Sequence, residues 1–131
     1  MNNKLDKILA EISAGELIDK ITILEIKNIK INDSEKLKNV EKELSSLNDI
    51  LEKTIPELSK IQMLIEKLKS INLKLWDIEN AKRLAEKNNN FDEKFIELSR
   101  SVYKNNDERA KLKLEINNIL GSNIKEVKSH Y

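Results

Sequence analysis

Residues 13–51 read Ser13-AGELIDKITILEIKNIKI-Asn32-DSEKLKNVEKELSSLNDI-Leu51, the pattern of two helices joined by a short turn. Ser13 with Glu16 three residues on is a capping box, in which each side chain satisfies a backbone N–H left free at a helix start. The helix it opens is predicted over 13–31. Asn32-Asp33-Ser34 is a turn, with Ser34 placed to cap a second helix over 34–53. Along that second helix Leu37, Val40, Leu44, Leu47 and Leu51 recur at alternating steps of three and four, the seam of a coiled-coil-like hairpin.

Thr54-Ile55-Pro56 breaks the pattern, and Pro56 suits the first turn of a third helix, predicted over 56–87. Leu58, Ile61, Ile65, Leu68, Asn72, Leu75 and Glu79 form its inner stripe. Lys87-Asn88-Asn89-Asn90 is a loop, with Asn90 or Asp92 capping a fourth helix, 91–120. Phe91, Phe95, Leu98, Val102, Arg109, Leu112 and Ile116 mark its inner face, and Gly121 is placed to end it. Residues 1–12 form an N-terminal arm with amphipathic spacing at Leu5, Ile8, Leu9 and Ile12, and 121–131 an extended or frayed tail. The expectation is a single all-α domain over 1–131, an antiparallel helical bundle of two long hairpins. The first helix is apolar all round, with Leu17, Ile21 and Leu24 on one side and Ile23 and Ile26 on the other. The fourth carries a second ridge of Ile96, Tyr103, Ala110 and Leu114. Such helices must be central in something, and a homodimer is the economical expectation.

Composition removes much chemistry. The 131 residues hold 24 Lys+Arg against 23 Asp+Glu, a net charge of +1, which argues against nucleic-acid partners and polybasic membrane binding. Absence of cysteine excludes disulfides and thiolate metal sites. One histidine, His130 in the tail, excludes His-rich metal sites and internal Ser-His-Asp triads, and two glycines leave no phosphate-cradling loop. No run approaches the roughly 20 apolar residues of a membrane span, so no membrane insertion and a cytoplasmic location are expected.

The informative positions are those where an inward stripe turns polar. On the third helix, residues 58, 61, 65, 72, 76, 79 and 83 share one face at about 100° per residue, and the last four are Asn72, Trp76, Glu79 and Arg83. If the fourth helix folds back across 88–90, Trp76 faces Tyr103, Glu79 lies beside Ser99 and Arg100, and Asn72 approaches Asn106 and Asp107. Arg109 interrupts the apolar face of the fourth helix, and Glu25 lies between Ile18, Ile21 and Ile29 on the first. Only Arg83, Arg100 and Arg109 are arginine among the 24 basic residues. The planar arginine fork binds carboxylate or phosphate bidentately, so the cluster is a candidate anion site with Trp76 and Tyr103 as walls and Glu25 or Glu79 orienting or titrating. The competing explanation is an ion-pair network that fixes register and holds no ligand.

Glu16-x-x-Asp19, with Glu25, Glu41 or Glu43 elsewhere, offers an enzyme reading. It is similar to the acidic helices that hold Mg²⁺ in all-α nucleotide pyrophosphatases, where carboxylates three apart share a hard cation. The Glu-x-x-Glu half of that pattern is missing. All-α chorismate mutases, which surround a dicarboxylate with Arg, Lys and Glu, are echoed more loosely still. Outside the Mg²⁺ reading no cofactor is expected.

Three segments together, Ile12-SAGELIDKITILEIK-Asn28, Asn72-LKLWDIEN and Phe91-DEKFIELSRSVYKNNDERAKLKLEIN followed by Gly121-Ser122, resemble an uncharacterised family of small helical bacterial and phage proteins. The resemblance runs from Ile12 to the C-terminus. It implies a helical protein often encoded among cell-surface polysaccharide and glycosyltransferase genes, and supplies no catalytic residue. That family enters the Ser13 motif through Val-Pro-Ile-Ser, whereas Ala10-Glu11-Ile12-Ser13 here lacks the proline. Three functional readings stand: a non-enzymatic accessory protein presenting helical faces to a protein partner, an anionic-ligand binder on the helix 3–4 hairpin, and a Mg²⁺-dependent hydrolase using Glu16, Asp19 and Glu25.

Overall fold

The structure, a computed structural model, describes residues 4–130; residues 1–3 of the expected arm and Tyr131 of the tail lie outside them. The described residues form four long helices and no strand: α1 (Ala14–Lys30), α2 (Ser34–Thr54), α3 (Gln62–Lys87) and α4 (Glu93–Leu120), with a short 3-10 turn at Ser59–Ile61. The all-α helical bundle follows as expected, α1 pairing with α2 and α3 with α4. No described helix is long and apolar enough to cross a membrane.

Local chemistry corrects several boundaries. The cap of α2 is Asp33, whose carboxylate accepts from the N–H groups of Glu35 and Lys36, so Ser34 is already helical. Asp92 caps α4 through the Phe95 N–H, which leaves Phe91 outside the helix and half-exposed, its ring edge-on to that of Phe95. The third helix begins at Gln62, six residues after Pro56. Glu57 accepts from the Ser59 N–H at 3.0 Å and starts the 3-10 turn that drives Ile61 into the core, so the chain bends there instead of continuing a helix from Pro56. Gly121, at φ 64°, ends α4 in the left-handed conformation that glycine adopts without a Cβ penalty.

The core joins Ile18 of α1, Ile61, Leu68 of α3, and Leu112 and Ile116 of α4, with Leu51 and Ile55 closing its margin. α1 is the hub, lying against α2, α3 and α4, whereas α2 makes no close backbone approach to α3 or α4. The all-round apolar character of α1 is thus satisfied within one chain and needs no second copy. The outer ridge of α4 is not so covered: Ile96, Tyr103 and Leu114 are 54%, 53% and 42% exposed.

Hydrogen bonds from Asn72 and Arg109 to Asp19 fix the height of α1 against the hairpin. From that level α1 rises about 16 Å to Lys30, while α3 rises about 22 Å to Lys87, at about 1.5 Å per residue. The α3–α4 hairpin therefore overhangs the end of α1. On α3 no residue after Asn72 is fully buried, and on α4 none before Leu112. The stripe on α3 turns polar at Asn72, where full burial on that helix ends.

Candidate functional site

The polar centre forms where α1, α3 and α4 meet, and its focus is Asp19. The side chain is 1% exposed, and Arg109 donates to it from both Nε (2.9 Å) and Nη2 (2.5 Å), a bidentate fork. Asn72 Nδ2 donates to Asp19 Oδ1 and to Thr22 Oγ1, both at 2.9 Å, and Thr22 Oγ1 donates to the Asp19 carbonyl at 2.8 Å. Lys113 Nζ stands 3.8 Å from Asp19 and 2.5 Å from Glu16. Burial would raise the Asp19 carboxyl, but hydrogen bonds from Arg109 and Asn72 and the charges of Arg109 and Lys113 outweigh it and hold the group below its ordinary value. The Asp19 hydrogen bond correspondingly raises the Arg109 guanidinium against its own burial.

The same seam continues to the start of α1. The backbone N–H of Gly15 donates to Asn117 Oδ1 at 2.6 Å, that of Ala14 to Ser122 Oγ at 3.1 Å, and that of Glu16 to Ser13 Oγ at 3.0 Å. Only half of the expected capping box is made, because the Glu16 carboxylate turns outward to Lys113 and Lys20. Gly15 permits this approach, since a Cβ there would lie 2.5 Å from the Lys113 carbonyl oxygen. The tail is extended but docked: Ser13 Oγ donates to Glu126 at 2.5 Å, and Lys128 pairs with Asp107 at 2.7 Å.

Beside this centre, between the last turns of α1 and the α3–α4 hairpin, lies a pocket of about 360 Å³. Ile23 and Ile26 of α1, Leu75 and Trp76 of α3 and the Arg109 side chain form its walls, with Asn72, Glu79, Asn80 and Arg83 adding polar groups. Its volume falls at the lower end of the roughly 300–1,000 Å³ of ligand pockets. Arg109 also donates from Nη1 to Asn106 at 3.3 Å and keeps further N–H groups unused. Glu79 and Arg83 form no ion pair with each other or with any other described residue.

Five of the sequence-derived residues therefore line one cavity: Asn72, Trp76, Glu79, Arg83 and Arg109; Asn106 touches it through Arg109. Three do not join them. Tyr103 lies on the outer ridge, because a two-helix registry fixes height along the hairpin but not which way a side chain points. Arg100 is exposed outside the pocket. Glu25 pairs with Lys69 at 3.6 Å on the surface of α1 and α3.

Glu16 is paired with Lys20 and Lys113, and Asp19 with Arg109. Among the described residues no three His, Cys, Asp or Glu side chains converge for a metal. The partner of Arg109 is Asp19, not Glu25 or Glu79. The signal was present in the sequence: Asp19 sits between Ile18 and Ile21 on the all-round apolar helix, where an acid needs a cation. Thr22, Lys113, Asn117 and Ser122 also escaped notice, although Arg109, Lys113 and Asn117 recur every four residues along one face of α4.

No curated protein and no solved structure shows significant similarity to this chain. One family does match, DUF6165, a family of unknown function, over residues 8–131, and the chain belongs to that family.

Proposed function

We propose that this protein binds a small molecule carrying a carboxylate or phosphate, in the pocket between α1 and the overhanging α3–α4 hairpin. The observation that carries the reading is the single cavity shared by Trp76, Arg83 and Arg109 over an apolar wall of Ile23, Ile26 and Leu75. Arg83, free of internal partners, supplies the charge for the acidic group; the spare N–H groups of Arg109 add directed donors. Trp76 and the aliphatic wall cover the body of the ligand. Asp19 and Asn72 act as positioning residues that hold the Arg109 fork in place.

A thermal-shift panel of small carboxylates and phosphates tests this directly. A ligand at about 100 times its Kd adds roughly 2.7 kcal/mol of stability. Arg83→Gln is expected to abolish the shift while melting near the wild-type temperature, because Arg83 is exposed and unpaired. A panel that leaves the wild-type melting temperature unchanged throughout contradicts the reading.

A second reading draws on the uncovered ridge of Ile96, Tyr103 and Leu114 along α4. Ile96, Tyr103 and Ala110 recur every seven residues, the repeat of a helix–helix seam, and a second copy offering the same ridge would complete it. Sedimentation equilibrium separates the outcomes: a dimer that Tyr103→Glu dissociates supports this reading, and a 15.2 kDa monomer at micromolar concentration overturns it.

A further inference from the structure

The charges of the pocket, taken group by group, restrict what it accepts. Asp19 and Arg109 cancel one another through their fork. What remains is one acid, Glu79, and one base, Arg83, one helical turn apart on the same face of α3. Glu preceding a base by four residues is the favourable order for an internal ion pair. Glu16 and Lys20 make such a pair at 3.8 Å on α1, and Glu35–Lys38 and Glu108–Lys111 close at 3.7 and 3.6 Å. Glu79 and Arg83 do not close, and both line the cavity. A purely anionic ligand drawn to Arg83 would meet the Glu79 carboxylate about 6 Å along the helix axis, and a purely cationic one would meet Arg83. Only a ligand with both signs gains from both groups.

We infer that the pocket selects a small zwitterion, an α-amino-acid-like molecule whose ammonium is held by Glu79, whose acidic group is held by Arg83, and whose apolar side chain lies against Trp76, Leu75, Ile23 and Ile26. This rests on the ligand-binding reading above and narrows it. Asn80, beside Glu79 and Arg83 on the wall, offers an amide to either end of the ligand. The volume of about 360 Å³ suits one ring or branched chain with such a head group.

The test is calorimetric titration of the full chain, with Trp76 emission recorded in parallel; Trp76 is the sole tryptophan, so the signal comes from the pocket wall. The probes are phenylalanine and leucine, their N-acetyl derivatives, which lack the ammonium, and 2-phenylethylamine and isopentylamine, which lack the acid. The amino acids are expected to bind at least tenfold more tightly than either set of analogues. Glu79→Gln is expected to erase the advantage over the N-acetyl derivatives, and Arg83→Gln the advantage over the amines. N-acetyl derivatives binding as tightly as the amino acids would overturn the zwitterion assignment and leave the acid-binding pocket standing. Amines binding as tightly would overturn both, because Arg83 would then recognise nothing. No heat and no change in emission with these probes also overturns the zwitterion assignment, and the carboxylate and phosphate panel then decides separately whether the pocket binds any acid.

Discussion

Asp19 sits in an environment that is unfavourable for a carboxylate until its partners are counted. Taking a charge out of water is costly, and the fork from Arg109, the amide of Asn72 and the nearby Lys113 restore what burial removes. Removing one member of such a pair strands the other. Asp19→Asn is therefore expected to lower stability by about 3 kcal/mol in urea titrations at pH 7, the lower end of the range for a broken buried pair, since Arg109 is 29% exposed. The pH dependence follows from the sign of the shift. The Asp19 carboxyl is lowered in the folded state, so its contribution is complete above the unfolded value of 3.8 and is lost as pH falls through the lower folded value. Wild-type stability should fall over that acid range, and the Asp19→Asn profile should be flatter there. A parallel pair of profiles would mean that Asp19 is not ionised in the native fold. At this scale the sequence exposed the need but not its solution: Arg109 on an apolar face plainly required an acid, yet Glu25 and Glu79 were equally eligible, and the choice of Asp19 depends on the crossing of α1 over the hairpin.

Along the elements, α1 and α4 are joined by a polar seam that runs from Arg109 through Lys113 and Asn117 to Ser122 on one side and from Asp19 to Ser13 on the other. Gly15 sets its spacing. Replacing a helical glycine by alanine normally gains up to about 1 kcal/mol of helix propensity, but a Cβ at Gly15 would sit 2.5 Å from the Lys113 carbonyl oxygen and 2.9 Å from Asn117 Oδ1. Because the nearest of these atoms is backbone, Gly15→Ala should be net destabilising, by about 1–3 kcal/mol in thermal or chemical unfolding. An alanine variant as stable as the wild type would show that α1 and α4 do not approach this closely. The helices themselves were readable from periodicity, as the seam from Leu37 to Leu51 and the glycine at 121 illustrate. The start of α3 was not, because the turn at Ser59–Ile61 arises from a Glu57 side chain bonding to Ser59 and from the burial of Ile61, neither of which leaves a periodic trace. Glu16 misled for a similar reason: its spacing from Ser13 matched a capping box, and tertiary contact with Lys113 claimed the carboxylate.

For the whole molecule, the change along the α3–α4 hairpin from a closed core to an open, polar-lined cleft beside α1 is the organising fact. Below Asn72 the helices close around Ile18, Ile61, Leu68, Leu112 and Ile116; above it the last turns of α1, through Ile23 and Ile26, face Trp76, Glu79 and Arg83 across an open pocket. Backbone amides in the far half of the hairpin, residues 79–100, where no side chain is fully buried, should exchange with solvent faster than those around Leu68 and Ile116, as expected where few apolar contacts oppose local opening. Uniform protection along the hairpin would indicate that something further covers it. The change from apolar to polar along α3 was legible in the sequence, and it marked the right place. Its depth and its membership were not, because both depend on how Ile23 and Ile26 of α1 lie against the hairpin.

The indole N–H resonance of Trp76 in a two-dimensional ¹H–¹⁵N NMR spectrum of the labelled chain reports whether this pocket is the functional site. One tryptophan gives one such signal, free of assignment ambiguity. Addition of phenylalanine or leucine is predicted to move it saturably, together with the backbone signals of Ile23, Ile26 and Arg83, while Ile96 and Leu114 on the outer ridge stay in place. A saturable response on the outer ridge, with the Trp76 indole signal unmoved, would place the functional site there and not in the pocket.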